Sequence, residues 1–392
     1  MLVDLCGSGM IDRMRVLFSC RPVPGHLYPL VPLARAAAAA GHEVAFATAE
    51  PALSDARGHG FAAFSAGPGR EARDAFVRNF PDLRALAPEE HRAAFFTQLF
   101  VGVELAPRLR DLSAIIERWT PDVIVHEVAE PAAPIAATAA GLPYVTSGFG
   151  PLLSPAIAAQ VGRAAAPHWR AAGLAPHPRG GLYEHLYFDP CPPALQLAAI
   201  HDVPAVPVRV TPLPTARSAG AHHATVYVTF GTLWNRDLDA FRVVLAALSA
   251  HPVDVVVTLG VDGDPAALGA QPDNVHIHRF IAQAELLPRC DAVIAHGGAG
   301  TMLGALAHGL PLLLLPQGAD QYYNAERVAA AGAGLSLAPA QATNATIARA
   351  IDTLLGDTRL RAGAQRVAAE IAAMPGPETA VAHLRASVMD ER

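Results

Sequence analysis

The sequence predicts an α/β protein with two doubly wound parallel sheets that face each other across a cleft. Three observations support this prediction: a length of 392 residues, an alternation of short apolar runs with helical segments, and the return of that alternation after a Pro-rich stretch. A chain of this length is too long for one ordinary core and suits two domains. Strands that alternate with helices form parallel sheets, which bind ligands at the carboxyl ends of their strands.

The amino-acid composition limits the classes of protein to which this chain can belong. Hydrophobic residues make up 52% of the chain and charged residues 16%. The longest apolar stretches, such as 309–316, contain Pro or Gly and fall short of the ~20 residues that a membrane-spanning helix needs. No signal-peptide pattern, long basic run or CxxC pair is present. We therefore expect a cytoplasmic protein without a membrane span, a nucleic-acid partner or a disulfide framework.

The repeated strand and helix pattern divides the chain. Strands are predicted at 15–20 and 43–48 around a helix at 30–41, and the pattern returns with a strand at 225–230 and a helix at 238–250. The prolines between the two halves indicate a linker. The predicted parts are an N-terminal domain over 14–210, a linker over 211–223, a C-terminal domain over 224–376, and a last helix over 377–392 that crosses back to the first domain.

A glycine-rich turn in the second half is the first chemical signal. A strand at 291–296 ends in His296, glycines follow, and Thr301 opens a helix. Free amides at the start of a helix, reinforced by its dipole, form an anion site that suits a diphosphate. His296 can donate a hydrogen bond to such a group and Thr301 offers a hydroxyl. A turn that needs glycine only for packing is the alternative.

A second signal follows the next strand, 311–316. Asp320 and Gln321 stand side by side at the end of this strand. A carboxylate and an amide suit the vicinal hydroxyls of a sugar, because one accepts and the other both donates and accepts hydrogen bonds. Asp320 is equally well placed to cap the helix that begins at Gln321, and both roles can coexist.

The runs 279–301 and 316–328 resemble the signature of family 1 glycosyltransferases of the GT-B fold. The sequence is most similar to the actinobacterial enzymes of this family that glycosylate natural products, and the resemblance extends from Arg15 to about Arg385. It implies two Rossmann-like domains, with the acceptor bound by the first and the nucleotide sugar by the second. It also implies inverting transfer from a dTDP- or UDP-sugar to a hydrophobic acceptor, without a metal or another cofactor.

The resemblance assigns ten positions to the donor. They are Phe280, Ile281 and Gln283 at the base and ribose, Thr232, His296, Gly298, Gly300 and Thr301 at the diphosphate, and Asp320 and Gln321 at the sugar.

In the first half, Gly25-His26 matches the general base of the family. An imidazole, with an unperturbed pKa of about 6.5, can take a proton from a hydroxyl near pH 7. The family often orients this histidine with an aspartate at the end of the 121–125 strand. This chain has 126-HEVAE-130 there, so Glu127 is the expected partner and Glu130 the alternative.

The acceptor is expected to contact aromatic residues of the first half. The stretch from Phe76 to Phe100 and the loop around Phe149 supply apolar surface without an obvious charged anchor. Phe76, Phe96 and Phe149 are the candidate contacts, although aromatic residues at helical spacing also form cores.

The sequence also allows other interpretations of metal binding and of function. The run 262-DGD-264 and the alternating His276 and His278 resemble metal ligands, but no further ligands accompany them, and a solvated turn and a surface strand are favoured. A sugar-nucleotide epimerase and a noncatalytic partner of another transferase are the alternative functions. The retention of His26 together with Asp320 favours transfer. The sugar, the acceptor, the bond type and the oligomeric state stay open, a homodimer included.

Overall fold

Short apolar segments form two parallel sheets in a computed structural model that describes residues 13–80, 86–214, 223–231, 238–260 and 263–390. The strands of the first sheet are β1 (Arg15–Ser19), β2 (Glu43–Thr48), β3 (Ala62–Ser65), β4 (Val123–Glu127), β5 (Tyr144–Ser147), β6 (Tyr187–Asp189) and β7 (Ala205–Pro207). The strands of the second sheet are β8 (Ala224–Thr229), β9 (Val253–Thr258), β10 (Val275–His278), β11 (Ala292–Ala295), β12 (Leu312–Leu314) and β13 (Gly334–Ser336).

Helices connect the strands of each sheet. In the first half they are α1 (Pro24–Leu27), α2 (Val31–Ala39), α3 (Ala52–Gly58), α4 (Arg70–Asn79), α5 (Pro88–Ala94), a π-helical segment (Phe95–Leu105), α6 (Ala106–Trp119), α7 (Ala132–Ala139) and α8 (Pro155–Ala171). In the second half they are α9 (Leu238–Leu248), α10 (Gln283–Leu286), α11 (Ala299–Ala307), α12 (Gln321–Ala330), α13 (Asn344–Gly356), α14 (Thr358–Ala373) and α15 (Pro377–Asp390). Short 3₁₀ turns lie at Pro193–Leu195, Ala198–Asp202, Pro265–Leu268, Leu287–Arg289 and Pro339–Gln341.

The six strands of the second sheet follow the same order as the first six of the first sheet, which has β7 as an additional edge strand, and the described strand pairs are parallel. The order is β3-β2-β1-β4-β5-β6-β7 in the first sheet and β10-β9-β8-β11-β12-β13 in the second. The predicted fold class, two doubly wound α/β domains, is confirmed. Central strands such as β4 are buried along their whole length, as expected where helices cover both faces of a parallel sheet.

The strand order reverses at the centre of each sheet. In the first sheet β1 pairs with β4, and in the second sheet β8 pairs with β11. The connections that leave these two neighbours run to opposite sides, so a crevice opens beyond their carboxyl ends. Gly25-His26 follows β1 and the glycine-rich turn follows β11, so both stand directly after a central strand.

The apolar excess of the composition is buried around the two sheets. Each sheet has one buried cluster of apolar side chains on each face. Among the described helices, none is long and apolar enough to cross a lipid bilayer.

The last helix packs on the first half of the chain. Ala380, Val381 and Leu384 of α15 are buried in the cluster that also contains α2. The Arg209 amide donates to the Pro375 carbonyl at 2.7 Å, which ties the segment before α15 to the end of the first half. The chain therefore joins the two sheets twice, once after β7 and once before α15.

A close approach of α14 to a turn gives a test of the fold. A Cβ on Gly363 would lie 1.9 Å from the carbonyl oxygen of Gly332. We expect Gly363→Ala to lower the free energy of unfolding by about 1–3 kcal/mol, because the helix must move away from the turn. Thermal unfolding followed by circular dichroism measures the loss.

The matched control is Gly356→Ala at the end of α13, where a Cβ meets no atom within 4 Å. This variant should be as stable as the parent or slightly more stable, because alanine reduces the freedom of the unfolded chain. Equal stability of the two variants would contradict the close approach.

Candidate active site

Three loops at the carboxyl edge of the first sheet bring polar and aromatic side chains together. His26 lies in α1 after β1, Glu127 ends β4, and Phe149 follows β5. Because β4 lies between β1 and β5, residues that are more than 100 positions apart in sequence become neighbours. The rings of His26 and Phe149 are 4.9 Å apart between centroids.

His26 and Glu127 form a close pair. Nδ1 of His26 lies 3.0 Å from Oε1 of Glu127, with the carboxylate buried and the imidazole 17% exposed. The other carboxylate oxygen accepts a hydrogen bond from the Ala129 amide at 2.6 Å. Since Nδ1 faces the carboxylate, Nε2 is the ring nitrogen that remains for a group bound beside His26.

The surroundings of Glu127 and Glu130 shift the pKa values of their carboxyls in opposite directions. Burial alone raises the pKa of the Glu127 carboxyl, but the His26 imidazole and the Ala129 amide outweigh it and lower the pKa below its ordinary value. Burial raises the pKa of the Glu130 carboxyl. Glu130 instead accepts from the Ser19 hydroxyl at 2.7 Å. The structure thus places Glu127, and not Glu130, beside His26.

A buried histidine that the sequence did not single out supports the turn between these glutamates. Nδ1 of His126 lies 3.1 Å from the Glu127 carbonyl and 3.0 Å from the Glu130 carbonyl, and Nε2 lies 3.0 Å from the Thr146 hydroxyl. Burial lowers the pKa of His126 to about 4, so the ring is neutral at pH 7. A neutral ring with a proton on Nδ1 donates to the carbonyls and accepts from Thr146.

A cavity opens beside His26, and its walls are largely aromatic. Its volume is about 630 Å³ including its open mouth. Phe95, Phe96, Phe100 and Phe149 line it. The first three belong to the π-helical segment, in which residues five apart lie above each other. That geometry places Phe95 and Phe100 on one face, with their ring centroids 6.3 Å apart.

The lining of this cavity differs in two respects from the predicted acceptor contacts. Phe96 and Phe149 line it, but Phe76 does not: its ring packs on Phe80 and Phe95, behind the cavity wall. Charged groups are present, contrary to the expectation of an apolar surface without a charged anchor. They are Arg21, Arg73, Arg92 and Asp320.

The glycine-rich turn after β11 forms a second group of polar atoms. A Cβ on Gly298 would lie 2.5 Å from Nε2 of His296, and one on Gly231 would lie 2.6 Å from Cε1. The imidazole therefore lies between Gly231, in the loop after β8, and Gly298, in the loop after β11. Burial lowers the pKa of His296 to about 4, so the ring is neutral at pH 7 and offers one N–H donor.

Helix α11 begins at this turn without a side-chain cap. Its N-cap residue is Gly298, and no side chain accepts from the first amides. Thr301, in the first turn, accepts a hydrogen bond from Nε2 of Gln283 at 3.0 Å. Gln283 and Gly300 line a cleft of about 1000 Å³, open to solvent, whose opposite wall includes Pro24. The start of α11 therefore faces the loop after β1 across this cleft.

The loop after β12 reaches toward the first half of the chain. Asp320 lines the cavity beside His26, whereas the Gln321 side chain is buried and its Oε1 accepts from the amides of Gln317 and Gly318. Asn324 is fully buried, and its amide donates to Oδ2 of Asp320 and to the carbonyl of Gly297, both at 2.8 Å. Asn324 thus joins the glycine-rich turn to the carboxylate.

The remaining predicted residues lie at the edge of this arrangement or outside the described residues. Phe280 is 62% exposed, and Ile281 packs on the core of the second sheet. Thr232 lies outside the described residues, as does Asp262 of the acidic pair. His276 and His278 are exposed on β10. In the part of the chain that the structure describes, no three His, Cys, Asp or Glu side chains are grouped as metal ligands.

Comparison with known proteins identifies the family. Residues 35–216 match the N-terminal domain, and residues 242–387 the C-terminal domain, of the family described as erythromycin biosynthesis protein CIII-like. The chain belongs to this family. The resemblance to natural-product glycosyltransferases of the GT-B fold is thereby confirmed, and the chain is a glycosyltransferase.

Individual relatives agree with this assignment. The transferase is 36% identical to the L-demethylnoviosyl transferase of Streptomyces niveus, over 93% of this chain and 96% of that protein. It is 32% identical to the elloramycin glycosyltransferase of Streptomyces olivaceus, over 95% and 97%. Among solved structures, spinosyn rhamnosyltransferase in complex with thymidine diphosphate has a TM-score of 0.75 at 29% identity and covers 95% of this chain and 100% of its own.

Several residues of the transferase site could not be found by motif. Asn324 lies in the signature run but has no chemistry of its own until Gly297 and Asp320 are placed beside it. Arg92 lies in the charged helix α5. The buried side of this helix cannot be identified from a 3.6-residue period in the sequence, because the helix continues into a π-helical segment. An Arg three residues before the pair Phe95-Phe96 was the available signal.

The junction at Asn324 gives a second test. Asn324→Ala leaves the Gly297 carbonyl and the Asp320 carboxylate without their shared donor, so we expect a loss of about 1–3 kcal/mol in the free energy of unfolding. Urea denaturation measures it.

Asn324→Asp should cost more at pH 7, because it removes the donor and places a second carboxylate against Asp320. Its deficit relative to the parent should shrink as the pH falls, since protonation removes the repulsion and restores a donor. A deficit that is equal for both variants and independent of pH would contradict the described junction.

Proposed function

We propose that this glycosyltransferase moves a sugar from a thymidine or uridine diphosphate sugar to a hydroxyl of an aromatic natural product, with inversion at the anomeric carbon. The observation that supports this most is the position of the His26–Glu127 pair. The pair stands at one cavity that also contains Asp320 from the second half of the chain. A base from one domain and a sugar-binding carboxylate from the other therefore meet at one place, as a direct transfer requires.

The proposed step begins with proton transfer from the acceptor hydroxyl to Nε2 of His26. The acceptor oxygen forms a bond to the anomeric carbon while the bond from that carbon to the diphosphate oxygen breaks, and its electron pair leaves with the diphosphate. The ionised Glu127, held by the Ala129 amide, stabilises the imidazolium that forms. Attack opposite the leaving group inverts the anomeric centre.

The leaving diphosphate would be held at the start of α11. The amides there have no side-chain cap, and the helix dipole favours negative charge at this end. The Thr301 hydroxyl and the single N–H of His296 add two further donors. These groups supply the charge stabilisation that a divalent cation supplies in other transferases, so we propose a metal-independent reaction.

Thymidine diphosphate is the favoured carrier. Spinosyn rhamnosyltransferase, a relative over nearly the whole chain, was solved with thymidine diphosphate. The cleft beside Gln283 and Gly300 is the proposed site of the nucleoside, because it adjoins the start of α11.

The proposed function is tested by release of free nucleoside diphosphate from dTDP- and UDP-sugars in the presence of a panel of phenolic acceptors and EDTA. We expect release that depends on the acceptor, and a product whose anomeric configuration, read by NMR, is opposite to that of the donor. Release without an acceptor, retention of configuration, or a requirement for added metal would each contradict part of the proposal.

The His26–Glu127 pair gives a third prediction. His26→Ala should lower kcat/KM by about 10²–10⁴-fold, the usual contribution of a general base. Glu127→Gln should lower it by a smaller factor, and the double variant should be no worse than His26→Ala, because the carboxylate acts through the ring. Losses that multiply in the double variant would refute that dependence. Glu130→Gln, a neighbouring buried carboxylate outside the pair, is the comparison variant.

The glycine-rich turn gives a fourth prediction. Gly298→Ala should weaken binding of thymidine diphosphate about tenfold or more, because the new Cβ displaces the His296 ring. Gly298 has an ordinary φ of −62°, so the substitution adds no backbone strain. Isothermal titration calorimetry measures the affinity.

Two further variants isolate the cause. In a His296→Ala background, the same Gly298→Ala substitution should change the affinity little, because no ring remains to be displaced. Gly356→Ala, far from the turn, serves as the control. An additional loss of the same size in the His296→Ala background would show that Gly298 acts in another way.

A further inference from the structure

The cavity beside His26 contains more positive than negative charge. Arg21, Arg73 and Arg92 line it, together with a single carboxylate, Asp320. The rest of its lining is largely aromatic, and a guanidinium in such a setting needs a partner anion or hydrogen-bond acceptors. The three arginines differ in the partner that each has within the described residues.

Arg21 and Asp320 are already occupied. The Arg21 guanidinium donates to both oxygens of the buried Glu104, at 2.7 and 2.8 Å, and lies 3.8 Å from the centre of the Phe100 ring. Asp320 accepts from Asn324 at 2.8 Å. The charge of Arg21 is thus matched within the protein, and this arginine forms part of the wall.

Arg92 is not matched in this way. It is only 7% exposed, and no carboxylate of the described residues lies within ion-pair distance of it. Its Nε is buried and has no hydrogen-bond partner in the part of the chain that the structure describes. The guanidinium lies 5.2 Å from the centre of the Tyr323 ring and 6.0 Å from that of Phe96. Two aromatic rings therefore flank a positive charge that has no anion.

Arg73 adds a second positive group with a weak partner. Its Nη1 lies 3.6 Å from Oδ1 of Asp74, whose side chain is 46% exposed, while the Arg73 side chain is 16% exposed. A pair with one partner in water contributes little. Most of the positive charge of Arg73 therefore remains available to the cavity.

We propose that the acceptor carries a carboxylate, which binds Arg92 and Arg73 while its reacting hydroxyl faces His26. The planar guanidinium matches a carboxylate through two parallel hydrogen bonds, and the surrounding rings exclude the water that would otherwise screen the pair. This inference rests on the proposed function, because it assigns the cavity to the acceptor. It adds a specificity determinant to a site that otherwise selects for aromatic shape alone.

The test compares 6-hydroxy-2-naphthoic acid with its methyl ester, two fluorescent naphthols that differ only in the anionic group. Their dissociation constants are measured by naphthyl fluorescence on the full chain with thymidine diphosphate present. We expect the acid to bind about tenfold tighter than the ester, as a charge-assisted hydrogen-bonded pair provides. The ratio of the two constants should fall close to one in Arg92→Met, which keeps most of the side-chain volume, and to an intermediate value in Arg73→Met.

Arg78→Met is the matched control, since Arg78 lies on the same helix as Arg73 but is exposed and outside the cavity. It should keep the parent ratio. A parent ratio near one, binding of neither compound, or a ratio that survives both Arg92→Met and Arg73→Met would overturn the inference. Transfer is scored separately: acid preference in binding without any transfer would count against the proposed function and leave the carboxylate site standing.

Discussion

The site of this transferase depends on one constraint, the reversal of strand order at the centre of each parallel sheet. Because β1 pairs with β4, the loop that carries His26 is forced against the strand end that carries Glu127. Because β8 pairs with β11, Gly231 is forced against His296 in the same way. Two pairs of residues far apart in sequence thus meet because of the order of the strands. The backbone hydrogen bonds of the sheets supply the positions, and the side chains only complete them.

Burial at these strand ends determines which groups remain charged. The pKa of the Glu127 carboxyl is lowered because His26 and the Ala129 amide stabilise the carboxylate, while burial raises the pKa of the Glu130 carboxyl. His126 and His296 are both kept neutral by burial. The ionised Glu127 carboxylate therefore stands next to His26, whose imidazole is partly exposed. A base that must reach a bound hydroxyl needs that exposure, and the fully buried imidazoles lack it.

Local patterns predicted the strands and the residues that follow them, because an apolar run and a glycine turn are visible within about ten positions. His296, Thr301 and Asp320 belong to this class, whereas His26 and Glu127 were predicted from the resemblance to the family. Residues that depend on distant neighbours were missed or misplaced. Asn324 acquires its role only through Gly297 and Asp320, and Phe76 packs on Phe80 and Phe95 instead of lining the cavity. The sequence also did not predict the charged groups of the cavity, because Arg73 and Arg92 lie on separate helices.

The two parts of the candidate site consist of different kinds of chemical group, and this affects how the sequence of each part can vary. The part at the start of α11 consists of backbone amides, the His296 ring, and Gly231 and Gly298, where a Cβ would meet that ring. Few substitutions there leave the geometry intact. The lining of the cavity beside His26 includes side chains on α4, α5 and the π-helical segment, which lie outside the strands of the sheet. Substitutions of these side chains can therefore reshape the cavity while His26, Asp320 and the start of α11 stay in place, which suits a family whose members differ in what they glycosylate.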